Sequence, residues 1–181
     1  MNALPEFWAA VLGWLDLIGG RKDAAGKFNL TGGGLINATA CYFAIVVLGL
    51  VIAALMGQNP GLEGAVIGII LNALPLFAIW LVIGGTVLML RPQHGAMGLL
   101  VPATYAMALI LIIRLPLELN FSGMFTNALL GALGFMLYRG ARGVSQLGIG
   151  ISLAFAVLCV VVLVLVALGL YMLATGGAGI G

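Results

Sequence analysis

The oppositely charged residues Arg114 and Glu118 lie nearer to the interior of a long apolar run than any other pair that could do chemistry. They are four positions apart, a spacing that allows an ion pair on a helix. Pro116 lies between them, and we expect it to interrupt the helical register. The pattern leaves two interpretations: an interfacial ion pair that closes a helix end, or a ligand-facing pair at an outer vestibule.

Amide and hydroxyl side chains inside the apolar runs form the second group of candidates. They are Asn37, Asn72 and Asn127, accompanied by Thr39, Thr86, Thr104 and Thr126. In lipid such groups form hydrogen bonds between helices, each worth about 1 kcal/mol. We therefore favour a packing role. The alternative is a polar path for a small solute, whose wall would include backbone carbonyl groups freed by prolines.

Residue types that usually build metal and cofactor sites are scarce. His94 is the only histidine and lies in a short polar turn, and Cys41 and Cys159 both lie inside apolar runs. No Cys-x-x-Cys motif or Cys/His pair is present in the sequence. We predict no catalytic residue, no metal and no cofactor, and we expect the cysteines to act as small buried apolar residues.

Long apolar runs dominate the 181-residue chain, which is 64% hydrophobic and only 7% charged. Soluble domains average about 25% charged residues, and roughly 20 apolar residues cross a bilayer as a helix. The sequence therefore predicts an all-α fold, a polytopic transmembrane helix bundle of about five spans. The predicted spans are residues 35–56, 64–90, 95–113, 122–138 and 148–174.

Residues 4–18 predict an interfacial amphipathic helix ahead of the first span. Residues at helical spacing form its apolar face: Phe7, Val11, Trp14, Leu15 and Ile18. Glu6 and Asp16 lie away from that face, and we expect Trp8 and Trp14 at the membrane interface. The favoured interpretation is a helix that caps the bundle, and the alternative is a free membrane-sensing helix.

Three segments organise the chain. Residues 1–34 are predicted to be a cytoplasmic amphipathic helix followed by a basic hook, by which we mean Arg21, Lys22, Asp23 and Lys27. Residues 35–175 are predicted to be the transmembrane bundle, and residues 176–181 a flexible Gly-rich tail. We expect Thr31 or a neighbouring glycine to begin the first span. The N-terminus lacks the basic start and the cleavage site of a secretory signal, so we expect no such signal there. From the start of the sequence and its Gly-rich end, Gly176 to Gly181, we expect a complete natural chain.

Basic residues near the span ends predict the orientation. With the N-terminus in the cytoplasm, only Arg114 falls outside; the basic residues that fall inside are Arg21, Lys22, Lys27, Arg91, Arg139 and Arg142. Five spans then place the C-terminus in the periplasm of a bacterial inner membrane. The orientation depends on the short fourth run, because Arg139 and Arg142 change sides if that run does not cross.

The residues Asp16-Leu17-Ile18-Gly19, just before the basic hook, resemble the Asp-Leu-Tyr-Gly-type motif of the Yip1 family. That family has a cytoplasmic N-terminal region and five spans, and the resemblance implies a membrane-organising or protein-interaction role without a cofactor. Ile18 replaces the aromatic residue of the motif, and Gly20 replaces a proline that often follows. The segment Phe28-Asn29-Leu30-Thr31 is also similar to one in small uncharacterised membrane proteins of proteobacteria.

The sequence favours a non-enzymatic accessory or organising subunit that acts through protein or lipid contacts. The expected partners are membrane lipids and other membrane proteins or a second copy of the chain, and no nucleic acid. The first alternative is a small channel or carrier for a neutral or apolar solute, supported only by the Asn, Thr and Pro positions. A membrane enzyme is the weaker alternative, because paired carboxylates are absent from the apolar runs.

Overall fold

The computed structural model describes residues 3–58, 61–90, 92, 94–121 and 125–176, and these residues form six α-helices. The helices are α1 (Ala3–Ile18), α2 (Gly32–Leu55), α3 (Gly61–Leu90), α4 (Met97–Phe121), α5 (Thr126–Gly143) and α6 (Ile149–Gly176). A 3-10 helix at Lys22–Lys27 connects α1 to α2. The predicted all-α class is confirmed.

Four of these helices are long and apolar enough to cross a membrane, namely α2, α3, α4 and α6. Each lies close to a predicted span. The predicted fourth span corresponds to α5, which is 18 residues long and ends with two arginines, Arg139 and Arg142. Because this end is polar, α5 is less apolar than the other four helices and is not among those that qualify as membrane spans.

Prolines lie inside α3 and α4 without ending either helix. Helix α4 runs to Phe121 through both Pro102 and Pro116, so the prediction that Pro116 interrupts the helical register is wrong. Proline removes one backbone donor, and in apolar helices neighbouring groups and small local adjustments compensate for that loss. Pro75 lies in the same way inside α3.

Helix α4 forms the centre of the bundle, since residues 101–108 are all buried. It packs against α1, α2, α3 and α5, while α6 packs against α3 and α5. From α2 to α6 consecutive helices run in opposite directions; in α2 and α3, for example, Tyr42 meets Asn72 while Leu50 meets Gly68. Trp80 of α3 donates a hydrogen bond to Thr104 of α4 at 3.1 Å, and Gly134 of α5 faces Val160 of α6.

The alternating directions give the bundle two ends. We call the end where α2, α4 and α6 begin the basic end, and the other end the opposite end. Because α5 returns through the bundle, it carries Arg139 and Arg142 to the basic end, where Arg139 contacts the carbonyl group of Leu17. The bundle thus places the two α5 arginines on the same side as Arg21 and Lys27.

Helix α1 lies against α2, α4 and α5 at the basic end. Its buried stripe contains Ala10, Trp14 and Leu17. The predicted apolar face is therefore wrong in part, because Leu15 and Ile18 are 60% and 47% exposed. Ala10 and Gly13 also lie on the buried side, and Gly13 allows Phe28 and Lys27 of the connecting segment to approach α1 closely. Apolar side chains also cover the outward side of α1, which makes the helix apolar on two sides.

Candidate functional site

A cavity in the half of the bundle nearer the opposite end is the candidate functional site. It has a volume of about 390 Å³, and all five helices α2 to α6 contribute to its wall. This volume lies in the range of about 300–1,000 Å³ that is typical of small-molecule pockets. We refer to it as the cavity.

The deep part of the cavity has an apolar wall. Met107 of α4, Leu133 of α5 and Leu163 of α6 line it, and all three side chains are buried in the bundle. Pro75 adds a surface without a backbone N–H group from α3. Such a wall offers dispersion contacts to an apolar chain and few hydrogen bonds to water.

Polar side chains line the cavity nearer the opposite end. They are Arg114, Thr126 and Asn127, of which the last two are the first residues of α5. All three are exposed. Four of the residues that the sequence singles out as candidates therefore meet in one place: Arg114, Thr126, Asn127 and, deeper in the wall, Asn72.

Asn72 and Tyr42 form the polar part of the inner wall. The Tyr42 hydroxyl donates to the main-chain carbonyl of Asn72 at 2.7 Å, and the Asn72 side chain donates to the carbonyl of Gly68 in its own helix at 2.8 Å. The Tyr42 bond joins α2 to α3 three residues before Pro75. Tyr42 is a wall residue that the sequence reasoning missed, because a tyrosine inside an apolar run carries no signal of its partner.

Hydrogen bonds of the threonines mostly stay within one helix. Thr39, Thr86 and Thr104 each donate to the carbonyl group four residues earlier, at 2.8 Å. A hydroxyl group bonds readily to its own helix in this way. Of these three threonines, Thr104 also bonds to a neighbouring helix, because it accepts the hydrogen bond from Trp80.

Asn37 belongs to a second polar group, at the basic end. Its side-chain amide donates to Glu6 Oε2 at 2.8 Å, and the amide of Asn29 donates to Glu6 Oε1 at 3.1 Å. Thr31 donates to Asn29 Oδ1 and accepts from the backbone N–H of Gly34. We call these five residues the Glu6 network. It joins α1 to the first turns of α2. Thr31 is the N-cap of α2, which agrees with the prediction that Thr31 or a neighbouring glycine begins this helix.

Glu6 is the residue of this network that the sequence reasoning missed. The carboxylate lies on α1, and its acceptor atoms meet donors that are 23 and 31 positions away in the sequence. Asn37 is only 4% exposed, and a buried amide of this kind needs a partner. An acidic residue inside an otherwise apolar helix is the signal that points to such a partner.

The C-terminus of α1 has a second set of charged contacts. Gly20 has a φ of 79°, and the backbone N–H of Arg21 donates to the carbonyl of Asp16 at 2.9 Å, which closes the helix. Arg139 of α5 donates from Nε to the Leu17 carbonyl at 2.7 Å. A cation at a helix C-terminus is favourable because the carbonyl groups there carry partial negative charge.

Asp16 pairs with Lys27 and with Arg21, the latter at 3.1 Å. The hydrogen bond from Lys27 is the main cause that holds the pKa of Asp16 below its ordinary value of 3.8; partial desolvation opposes it, and the charges of Lys27 and Arg21 add to the lowering. These contacts fold the basic hook back onto α1. The hook residues thus have a structural role in fixing the connection to α2.

The two predicted interfacial tryptophans have different environments. Trp8 is 63% exposed on the outward side of α1, whereas Trp14 is 2% exposed. The ring of Trp14 packs on Phe28 with centroids 5.8 Å apart and on Gly140 of α5. Trp14 is therefore a buried anchor of α1, packed against the rest of the chain, and its depth in the membrane stays a prediction.

The predicted pair of Arg114 and Glu118 lies partly outside the described side chains. Both residues belong to the continuous helix α4, but the side chain of Glu118 is not among those described. The pair stays a prediction. Within the described residues, no group of three or more His, Cys, Asp or Glu side chains could hold a metal ion, and Cys41 and Cys159 are free thiols.

Comparisons with protein-family models, with curated proteins and with solved structures find no match for this chain.

Proposed function

We propose that this chain is a non-enzymatic integral membrane protein that acts as an accessory or organising subunit by holding lipid within its helix bundle. The cavity is the observation that carries the proposal. Its volume of about 390 Å³ and its apolar deep wall suit the end of an acyl chain. A membrane supplies such chains at high concentration, so an apolar cavity that opens among its helices is filled by them.

The proposal includes five membrane crossings. Helix α5 is 18 residues long, which corresponds to about 27 Å at 1.5 Å per residue and approaches the roughly 30 Å of a bilayer core. The contact between Arg139 and Leu17 supports a crossing, because it places the end of α5 beside α1. A fifth crossing explains how an 18-residue helix with two terminal arginines fits a membrane protein.

We assign the basic end to the cytoplasm. Arg21, Lys27, Arg139 and Arg142 lie at that end, while Arg114 lies towards the other. Basic residues favour the cytoplasmic side of a bacterial inner membrane, which then leaves the C-terminus in the periplasm. Helix α1 lies at the cytoplasmic interface, with the bundle on one side and lipid on its outward apolar side. The resemblance to the Yip1 family fits an organising role of this kind.

Purification of the full chain in a mild detergent, followed by native mass spectrometry, tests the proposal. We expect phospholipid or fatty acid to remain bound at about one copy per chain. The variant Ala167→Phe narrows the cavity, since Ala167 lines it, and should lose the bound lipid. The matched control is Ala154→Phe on the exposed side of the same helix, which should retain it. Equal lipid retention by both variants contradicts the proposal.

A carrier for a neutral or apolar solute is the second candidate, because Asn72 and Asn127 both line the cavity. Vesicles that contain the purified chain separate the two functions. Leak of a small neutral solute that falls on substitution of Asn127 by leucine favours the carrier. Vesicles as tight as protein-free ones favour the organising subunit.

A further inference from the structure

The polar and apolar walls of the cavity are separated along the membrane normal. Met107 in the deep part and Arg114 nearer the opposite end lie seven residues apart on α4, which is about 10 Å along the helix. Leu133 and Leu163 accompany Met107, while Thr126 and Asn127 accompany Arg114. A molecule that fills the cavity therefore has an apolar part towards the middle of the bundle and a polar part towards its end.

Positive charge marks the polar part. Arg114 is the single charged side chain among the described residues that line the cavity. A guanidinium group offers a planar fork of donors that matches a carboxylate or a phosphate. Helix α5 begins beside it, and its N-terminal end adds a partial positive charge of the same sign. Both features select for a negative group at this position.

We infer that the cavity binds an amphiphile with an anionic headgroup, its acyl chain against Met107, Leu133 and Leu163 and its headgroup on Arg114. This inference rests on the proposed function and adds the chemical class of the ligand. Thr126 and Asn127 supply hydrogen-bonding groups next to the charge. The same chemistry belongs to an anionic phospholipid and to a free fatty acid.

Lipid titration of the full chain in detergent, read out by native mass spectrometry, tests the inference. The probes are phosphatidylglycerol, phosphatidylcholine and oleate. We expect phosphatidylglycerol to bind at least about tenfold more tightly than phosphatidylcholine, as one charge-assisted contact allows. Tight binding of oleate as well assigns the site to a carboxylate or phosphate in general, and weak binding of oleate assigns it to phospholipid.

Variants at Arg114 separate the headgroup contact from the cavity itself. Arg114→Gln should bind both phospholipids equally, and Arg114→Lys should keep part of the preference because its charge remains. Arg142→Gln at the basic end is the matched control, since the exposed Arg142 lies away from the cavity, and it should keep the native preference. A thermal melt of each variant checks that it is folded.

The outcomes distinguish this inference from the function on which it rests. An unchanged preference for phosphatidylglycerol in Arg114→Gln overturns the role of Arg114 while leaving a lipid-binding cavity in place. Equal binding of both phospholipids by the native chain overturns the anionic selectivity. Loss of all lipid binding, in the native chain and in every variant alike, overturns the proposed function as well.

Discussion

At the basic end polar side chains bond to one another, whereas at the opposite end they border a cavity. Glu6, Asn29 and Asn37 meet across two helices, and Trp14 fills the space beside Gly140. Arg114 and Asn127, in contrast, line a space of about 390 Å³. A polar group enclosed by the rest of the chain stabilises the structure, and a polar group that borders a space can also contact a ligand.

The comparison predicts that changes at the basic end cost stability and that changes at the opposite end alter binding. Four changes at the basic end test the expected loss of stability, from the largest expected effect to the smallest. In each case thermal unfolding in detergent is monitored with a dye that becomes fluorescent when it reacts with a thiol. Cys159 is fully buried whereas the free thiol of Cys41 is partly exposed. All variants therefore carry Cys41→Ala, so that the reaction of Cys159 with the dye reports loss of the bundle.

Replacing Trp14 with alanine should have the largest effect. The side chain is 2% exposed and packs on Phe28 and Gly140, so its removal leaves a large cavity. We expect a loss of about 3–5 kcal/mol in the free energy of unfolding. Trp8→Ala is the matched control on the same helix and should change little, because Trp8 is 63% exposed. Equal effects of the two changes would show that α1 is not anchored by Trp14.

Replacing Gly34 with alanine tests the tight start of α2. A Cβ atom there would overlap the carbonyl oxygen of Asn29 and lie 2.8 Å from its carbon, and this backbone is held by the Glu6 network. We expect a loss of about 1–3 kcal/mol, as overpacking typically costs. Gly33→Ala is the control, since its nearest atom would be Thr31 Oγ1 at 3.6 Å. A melting temperature that is lowered equally in both variants argues against this contact.

Replacing Glu6 with glutamine removes one acceptor from the Glu6 network and places an amide N–H group opposite another donor. We expect a loss of about 1–2 kcal/mol, since a buried group is left without a partner. Glu63→Gln at the opposite end is the control, because Glu63 is exposed in the first turn of α3. An unchanged melting temperature in Glu6→Gln would show that the Glu6 network does not hold α1 against α2.

The pairing of Asp16 predicts the smallest effect, a dependence on pH. The folded pKa of Asp16 is lowered, so its contribution to stability is present above the unfolded pKa of about 3.9 and disappears as the pH falls through the folded pKa. We expect the melting temperature of the native chain to fall more steeply below about pH 4 than that of Asp16→Asn. Parallel pH profiles for the two proteins would contradict the pairing.

Much of the fold follows from apolar run length alone, since the four helices that are long and apolar enough to cross a membrane lie close to predicted spans. The end of α4 could not be predicted in this way, because a proline at position 116 indicates a break whereas the helix continues through it. The orientation of α1 could not be predicted either. With apolar residues on two sides of α1, periodicity could not tell which side contacts the bundle, and it selected Leu15 and Ile18 where Ala10 and Leu17 are buried.

The residues of the candidate site could be predicted one by one, but their meeting in one cavity could not. Arg114, Asn72 and Asn127 stand out in sequence because polar groups are rare in apolar runs, and all three line the cavity. Asn37 stands out for the same reason yet belongs to the basic end. Only the packing of five helices decides which polar groups meet, and no local pattern records distances between residues so far apart in the chain.

The contact between Arg139 and Leu17 joins positions 122 residues apart, and this separation bears on folding. Trp14 also borders Gly140 of α5, and both α5 residues are synthesised long after α1. Closing a loop of this length costs chain entropy, and these contacts of α1 cannot form before α5 is in place. The helix made first therefore completes its contacts only after α5 has packed, and a fully docked α1 reports that α5 has joined the bundle.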